Sequence, residues 1–206
     1  MSIRTKALAI LAASTMWSVF QPGTASAQSS GIGGDANTRL LWTGTDSRIS
    51  LWKCDAVLLN CTSHQYGPID GWTPVAITTT NNNNTCVLWK YTDGRISLWT
   101  VDPNLNFVHY TQYGPYTGWT ALSLSADTNG NDWIRVIWRE TEGSMSIWEL
   151  SSCEAFVRNH VYGPFFGFVP GTAAAAAKPA PGSAEAKAEE AMRNAPPVSA
   201  APNGSH

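Results

Sequence analysis

One stretch of sixteen residues, VLWKYTDGRISLWTVD, occurs in three variants along this 206-residue chain and limits what the chain can fold into. The three copies begin at Leu40, Val87 and Val136. Steps of 47 and then 49 residues separate the landmarks of each set: Trp42, Trp89 and Trp138; Trp52, Trp99 and Trp148; Tyr66, Tyr113 and Tyr162. Landmarks that share a period indicate a true repeat, and a period of this size is typical of blades or lobes.

Each copy predicts a β-hairpin. Two apolar runs flank Thr-Asp-Ser, Thr-Asp-Gly or Thr-Glu-Gly, and Asp-Gly readily adopts the backbone angles of a tight reversal. In ISLW at 96–99, alternate residues fall on opposite faces of a sheet. A third run, a turn with Tyr-Gly-Pro and a β-branched fourth run follow the hairpin. The chain is therefore predicted to be all-β, with three tandem four-stranded antiparallel repeats of about 47–49 residues.

The predicted units span about 38–80, 81–127 and 128–170. Their strand order is circularly offset, because no strand is predicted before Thr38 and the fourth strand of each unit follows its turn. Closing the set, which would hide both edges, requires the segment near Phe168 to pair beside the first strand. Phe168 stands where the other units have tryptophan, and Pro170 is expected to stop the strand there.

The two ends of the chain differ in composition from the repeats. Arg4 and Lys6 precede an apolar run, and Ala-Ser-Ala at 25–27 suits cleavage, so residues 1–27 are predicted to be a secretory signal peptide. Residues 28–37 form a Gly- and Ser-rich lead-in, and residues 171–206 an Ala/Pro-rich tail without enough bulky apolar side chains to order itself. The expected location is secreted or periplasmic.

Four cysteines in an exported chain predict disulfides. Cys54 and Cys61 lie at the end of one predicted strand and the start of the next, which favours a bridge between them. Cys86 and Cys153 are left for a second bridge, and the alternative is that one or both pairs are free buried thiols. No second Cys or His stands at metal-ligand spacing, so no metal is expected.

The charge balance bears on the class of partner. Without Arg4 and Lys6 the chain has 11 basic side chains against 15 acidic ones, with no cluster of positive charge. A nucleic acid or an anionic membrane is therefore not expected as the main partner.

Two families supply resemblances. DGRISLWTVD at 93–102 resembles the hairpin strand of WD-repeat blades, and GWTALSLSADTNGN at 118–131 is similar to the inner strand and following turn; the Trp-rich hairpin also resembles lectin propellers. These resemblances imply propeller blades, and since three blades are too few for a ring, a homo-oligomer, either a dimer or a trimer. SRISLWKC at 47–54 is similar to the lobes of ricin-type lectins, which implies instead a β-trefoil closing within one chain.

Catalytic arrangements are not expected. The sequence has no nucleophile elbow and no Gly-rich loop before a helix, and His64 and His160 occupy a variable strand position. The turn acids Asp46, Asp93 and Glu142 occur one per unit, so they should lie apart, whereas glycoside hydrolysis needs two acids across one substrate. The chain is predicted not to be an enzyme and to need no cofactor.

The abundance of aromatic residues favours binding. Nine tryptophans follow the predicted signal peptide, and aromatic rings stack on sugar C–H faces while turn residues bond hydroxyls. The candidate ligand-binding residues are Trp52, Trp99, Trp148, Trp72, Trp119, Asp46, Asp93, Glu142, Arg48 and Arg95. The first hypothesis is a lectin-like protein for glycans or cell-surface polysaccharide; the alternative is a scaffold that binds a protein partner at the cell envelope.

Overall fold

The computed structural model describes residues 36–126 and 133–170, together with Lys187. The predicted signal peptide, nearly all of the lead-in and, apart from Lys187, the predicted tail lie outside these residues. Eleven strands in three antiparallel sheets make up the described part of the chain.

The sheets follow one another along the sequence. Sheet 1 contains β1 (Thr38–Thr43), β2 (Ile49–Cys54) and β3 (Cys61–Tyr66). Sheet 2 contains β4 (Trp72–Thr79), β5 (Thr85–Tyr91), β6 (Ile96–Val101) and β7 (Phe107–Tyr113). Sheet 3 contains β8 (Trp119–Ala126), β9 (Trp133–Glu140), β10 (Met145–Ser151) and β11 (Ala155–Tyr162). The predicted all-β fold of tandem antiparallel repeats is confirmed.

The boundaries of the sheets differ from those of the sequence repeats. Each Tyr-Gly-Pro turn, with its cis Gly–Pro bond, follows the last strand of one sheet, and the chain then begins the first strand of the next. The fourth strand of a sequence unit is thus the first strand of the following sheet. Sheet 1 receives no such strand from the described residues and has three strands instead of four.

The sheets pack face to face in chain order. The hairpin of each sheet has one face that carries its two tryptophans, here called the Trp face, and an opposite aliphatic face. Leu41, Ile49 and Leu51 of sheet 1 share a core cluster with Val87 and Trp89 of sheet 2. The opposite face of sheet 2 packs against sheet 3 in a second core cluster. This cluster contains the two hairpin tryptophans of sheet 3, Trp138 and Trp148. The Trp face of sheets 2 and 3 is therefore covered by the aliphatic face of the sheet before it.

Strand β5 lies in the middle of this row. The side chains of Val87 and Trp89 point toward sheet 1, whereas those of Cys86 and Leu88 point toward sheet 3. All four are at most 1% exposed, because the alternation of a strand delivers its residues to two different cores. Full burial of an apolar side chain stabilises by about 1.5–3 kcal/mol, so these residues contribute strongly to folding.

Specific bonds join neighbouring sheets. The predicted disulfides Cys54–Cys61 and Cys86–Cys153 are both present; the first joins β2 to β3, and the second joins β5 to the β10–β11 loop. The hydroxyl of Tyr66, at the end of sheet 1, donates to the Leu105 carbonyl of sheet 2 at 2.5 Å. Tyr113, its counterpart in sheet 2, donates to the Glu154 carbonyl of sheet 3. Two disulfides are typical of an oxidising extracellular compartment.

No helix in residues 36–126 and 133–170 has the length and apolar character needed to cross a membrane.

Candidate functional site

An open aromatic pocket of about 220 Å³ lies on the Trp face of sheet 2, beside the turn that leaves sheet 1. Four of the seven lining side chains are aromatic, and one serine and one glutamine add a hydroxyl and an amide. The lining residues are Ile69, Trp72, Trp89, Ser97, Trp99, Tyr110 and Gln112. The structure thus brings together two of the sequence-predicted residues, Trp72 and Trp99.

Strand register explains why these side chains converge. Trp89, Ser97 and Gln112 lie opposite one another across β5, β6 and β7, so they form one row on the same face. Trp99 and Tyr110 are likewise directly opposite and form the next row. Side chains directly across an antiparallel pair lie about 5 Å apart, which is close enough to contact one ligand.

Trp99 is held by a cluster of rings. Its centroid lies 4.7 Å from Trp89, 5.1 Å from Phe107 and 5.8 Å from Tyr66. The last two contacts are edge-on, the arrangement that aromatic quadrupoles favour. Trp99 nonetheless stays partly exposed, and Tyr110 beside it is 56% exposed. The cluster therefore fixes the orientation of Trp99 while leaving aromatic surface accessible.

The corresponding place between sheets 2 and 3 is filled. Tyr116 stands where the first turn has Ile69, and its ring packs on Trp138 at 5.5 Å and on Trp148 at 5.2 Å. Trp148 is 1% exposed and Trp119 is 8% exposed. These two sequence-predicted residues belong to the core and present almost no surface to a ligand.

The corresponding place on sheet 1 is uncovered. Trp42 and Trp52 lie 5.7 Å apart on its Trp face, and Trp52 is 37% exposed, with its ring N–H donated to the Ser50 hydroxyl at 2.9 Å. The described residues provide no sheet to cover this face. The three repeats thus present three different states of one site, where the sequence suggested three equivalent ones.

The turn acids and arginines predicted as polar ligands bond to each other. Asp93 accepts the Arg95 backbone N–H at 3.0 Å and its Nε–H at 2.8 Å. Asp46 and Arg48 make the same pair in sheet 1, with Nε 3.5 Å from the carboxylate. Arg95 also lies over the Tyr91 ring, 4.7 Å from its centroid. Neither Asp93 nor Arg95 lines the pocket, so their observed contacts are those of hairpin stabilisation.

Glu142, the third turn acid, lies at the other end of the row. It lines a shallow surface depression together with Arg139 and the exposed rings of Phe165, Phe166 and Phe168. It therefore belongs to sheet 3 and does not line the pocket on sheet 2.

Two of the lining residues also carry a buried polar atom. Ser97 Oγ and Trp89 Nε1 have no hydrogen-bond partner within the described ranges. Their counterparts Ser146 and Trp138, where Tyr116 fills the space, are in the same condition. The open volume and the exposed aromatic edge, and not these atoms, distinguish the pocket from its counterpart.

Burial also alters the acidity of several tyrosines. Desolvation, with the nearby charge of Asp102, raises the pKa of Tyr66 to about 12. Burial likewise raises the pKa of Tyr113 and that of Tyr116. These phenols therefore stay protonated at neutral pH and act as hydrogen-bond donors or packing groups.

The β6–β7 loop acid has a structural role. Asp102 accepts the backbone N–H of Asn106 at 2.7 Å and that of Asn104 at 2.8 Å, and the Asn106 bond is the main cause of the lowered pKa of its carboxyl. Asp55 has the matching role in the β2–β3 loop, where the Asn60 side chain lowers its pKa.

The other five lining residues are not among the ligand contacts predicted from the sequence: Ile69, Trp89, Ser97, Tyr110 and Gln112. The alternation of β7 could have identified two of them, because Tyr110 and Gln112 are separated by one residue and so share a face. Ile69 carries no such signal, since its role depends on the path of the turn.

Comparison with known proteins finds distant structural similarity alone. No protein-family model and no curated protein sequence matches the chain. A protein of unknown function from Bacteroides caccae is similar at 7% identity over 64% of this chain and 43% of its own, with a TM-score of 0.36. An uncharacterized protein from Listeria monocytogenes is similar at 10% identity over 60% of this chain and 36% of its own, with a TM-score of 0.41. In both cases the chain spans less than half of the other protein.

Proposed function

We propose that this chain is a secreted, non-catalytic carbohydrate-binding protein and that its sheets are propeller-like blades. The observation that carries the proposal is the open pocket on sheet 2, where Trp99 and Tyr110 offer ring surface beside the amide of Gln112. Concave sites with mostly aromatic walls and a few polar groups are the usual form of small-ligand sites. Sugars suit this lining because they have C–H faces for the rings and hydroxyls for the amide.

Blades are supported by the order of the strands. Each four-stranded sheet is a simple meander, and its first strand lies nearest the neighbouring sheets, as the contacts of β4 with β1 and β8 indicate. A β-trefoil would instead share its strands in one barrel. Secretion is supported by the predicted signal peptide and by both disulfides.

A binding role without catalysis is supported by the placement of the acids. Asp46, Asp93 and Glu142 lie on the hairpins of different sheets, and the first two are paired with arginine. A glycosidase needs two acids within about 10 Å of each other across one bond.

The repeat itself supplies the sharpest test. Ile69→Tyr should place a ring where Tyr116 lies in the next turn, because Ile69 and Tyr116 bond equivalently, through their N–H groups, to the Ser47 and Gly94 carbonyls. The pocket should then be filled, and binding to the sugar first identified on a glycan array should fall below detection by calorimetry. The fold should remain intact by circular dichroism.

The reverse change is the matched control. Tyr116→Ile should empty the corresponding space between sheets 2 and 3, raising the stoichiometry toward two sugars per chain at a cost of about 2 kcal/mol in stability. Wild-type affinity in Ile69→Tyr would exclude this pocket as the binding site. Failure of the full chain to bind any glycan on the array would reject the carbohydrate proposal.

Side chains in the pocket give a graded test. Tyr110→Ala should weaken binding about tenfold and Gln112→Ala about fivefold, as expected for the loss of one packed ring and one hydrogen bond. Val161→Ala, at the position of Gln112 on sheet 3, should leave the affinity unchanged.

A protein-binding scaffold is the second candidate. It is favoured by Val57, Leu58 and Leu59, which are 67%, 59% and 82% exposed in the β2–β3 loop. Recovery of one protein from the native cell envelope, unaffected by added sugar and lost with Leu59→Ser, would favour this function over sugar binding.

A further inference from the structure

Among the described residues, sheet 1 lacks two features of sheets 2 and 3: a cover over its Trp face and a fourth strand beside its hairpin. The Trp faces of sheets 2 and 3 are each covered by the preceding sheet, whereas that of sheet 1 carries Trp52 at 37% exposure. Strand β5 pairs with β4 and β6, and β9 pairs with β8 and β10, but β1 pairs only with β2 among the described strands. This uncovered face and the edge of β1 that faces away from β2, beside which the described residues place no strand, are called the acceptor end.

The turn after sheet 3 has the opposite feature, an aromatic side chain with no sheet packed against it among the described residues. Phe168 occupies the position of Trp72 and Trp119, yet it is 75% exposed while Trp119 is 8% exposed. A Cβ on Gly167 would meet nothing within 4 Å, whereas one on Gly71 would meet the Tyr91 ring of the next sheet at 2.4 Å. Tyr162, Phe165, Phe168 and Val169 are called the donor end.

Tyr162 is a second residue of the donor end whose counterparts contact a following sheet. Tyr66 and Tyr113 each donate to a carbonyl of the next sheet, and their rings pack edge-on against Trp99 and Trp148 of that sheet. Tyr162 is the third member of this set and is 45% exposed. By the repeat spacing, its two partners would be the Leu58 carbonyl in the β2–β3 loop of sheet 1 and the Trp52 ring of the acceptor end.

We infer that the donor end of one copy completes the acceptor end of a second copy, head to tail, with residues 168–170 placed beside β1 at the position of a fourth strand of sheet 1. The register follows from the other sheets. Trp72 lies opposite Tyr91 and Thr73 opposite Lys90, so Phe168 should lie opposite Gly44 and Val169 opposite Thr43 of the second copy.

A second copy fits these observations better than closure within one chain. Sheet 2 packs against sheet 1 on one face and against sheet 3 on the other, which places the donor and acceptor ends at opposite ends of the row. Pro170 is compatible with a strand at this position. Pro74, its counterpart, lies within β4 beside a register shift. The expectation that Pro170 stops a strand therefore does not follow from its position.

The aliphatic face of sheet 3 supplies the cover for the tryptophans of the second copy. Ile137, Met145 and Ile147 stand where sheet 2 has Leu88, Ile96 and Leu98, which pack against the Trp face of sheet 3. Two such copies hold six sheets, and a ring of copies leaves neither end uncovered. The inference is independent of carbohydrate binding, because the sheet 2 pocket is complete within one copy.

The full chain in the absence of sugar tests the association directly. Light scattering after size exclusion should give the mass of two or more copies, and Phe168→Ser or Tyr162→Ser should raise the dissociation constant at least tenfold. Val108→Ser, an exposed apolar position on sheet 2, is the matched control and should not change it. A monomer at every concentration would overturn the inference, as would equal effects of Phe168→Ser and Val108→Ser.

Cross-linking tests the register. A mixture of a Val169→Cys chain and a Thr43→Cys chain should form a disulfide-linked pair, whereas Val169→Cys mixed with Thr38→Cys should form little. A chain that carries both Val169→Cys and Thr43→Cys should also link between copies. Linkage within single copies, or equal yields from both mixtures, would reject head-to-tail strand donation, and the glycan assay would remain interpretable because Phe168→Ser leaves its pocket intact.

Discussion

At the scale of single residues, the repeat shows how one backbone geometry is filled by different side chains. Gly94 and Gly143 occupy the hairpin turns of sheets 2 and 3 with φ of 91° and 96°, and Ser47 occupies the same turn position in sheet 1 with φ of 62°. An L-residue in this left-handed region costs about 1–2 kcal/mol relative to glycine, partly offset by the greater entropy of glycine in the unfolded chain.

Ser47→Gly is therefore expected to stabilise the chain by about 0.5 kcal/mol. The reciprocal change Gly94→Ser should destabilise it by about 1 kcal/mol, because the added Cβ would also lie 3.3 Å from the Tyr116 carbonyl oxygen. Equilibrium urea unfolding of the three proteins checks both signs. Two shifts in the same direction would contradict the assignment of the strain.

Tyr66 gives the fold a dependence on alkaline pH. Its pKa is raised to about 12 in the folded chain, above the ordinary value of 10.0, so folding favours the protonated phenol. The associated stability should be fully present below pH 10 and should be lost as the pH rises through about 12. Phenolate absorbance should show that Tyr66→Phe has one late-titrating tyrosine fewer than the wild type.

The same variant should be less stable at neutral pH by about 1 kcal/mol, since the Leu105 carbonyl loses its donor. Tyr91→Phe is a suitable control for the titration, because it removes a tyrosine from the hairpin of sheet 2 and leaves the Tyr66 bond in place. A late-titrating signal that is undiminished in Tyr66→Phe and reduced in Tyr91→Phe would contradict the assignment.

At the scale of elements, the two disulfides differ in what they join. Cys54 and Cys61 are seven residues apart and link adjacent strands that already pair, whereas Cys86 and Cys153 are 67 residues apart and link sheets 2 and 3. A longer closed loop restricts the unfolded chain more, so the second bridge should contribute more to stability.

Replacing Cys86 and Cys153 together by serine should cost about 4 kcal/mol, and replacing Cys54 and Cys61 should cost about 2 kcal/mol. Chemical denaturation of the two double variants measures the difference. A larger loss from the Cys54 and Cys61 pair would contradict an explanation based on loop closure.

Sequence patterns predict much of this level of structure. The alternation within each hairpin and the Tyr-Gly-Pro turns predict the strands, and the structure has a hairpin, a third strand, the turn and a further strand in the predicted order. The pairing of Cys86 with Cys153 followed only by elimination, because their approach depends on how sheet 2 packs on sheet 3. The open state of the pocket could not be predicted, since it depends on whether Ile69 or Tyr116 fills a space that only packing defines.

At the scale of the whole molecule, every sheet in the row presents one kind of face to the sheet before it and another kind to the sheet after it. The clusters on the two sides of β5 are built from corresponding positions, with Trp89 on one side and Trp138 on the other. An additional unit inserted by gene duplication would meet surfaces already suited to it on both sides. An array of this kind can therefore lengthen or shorten by whole units during evolution without new contacts being devised.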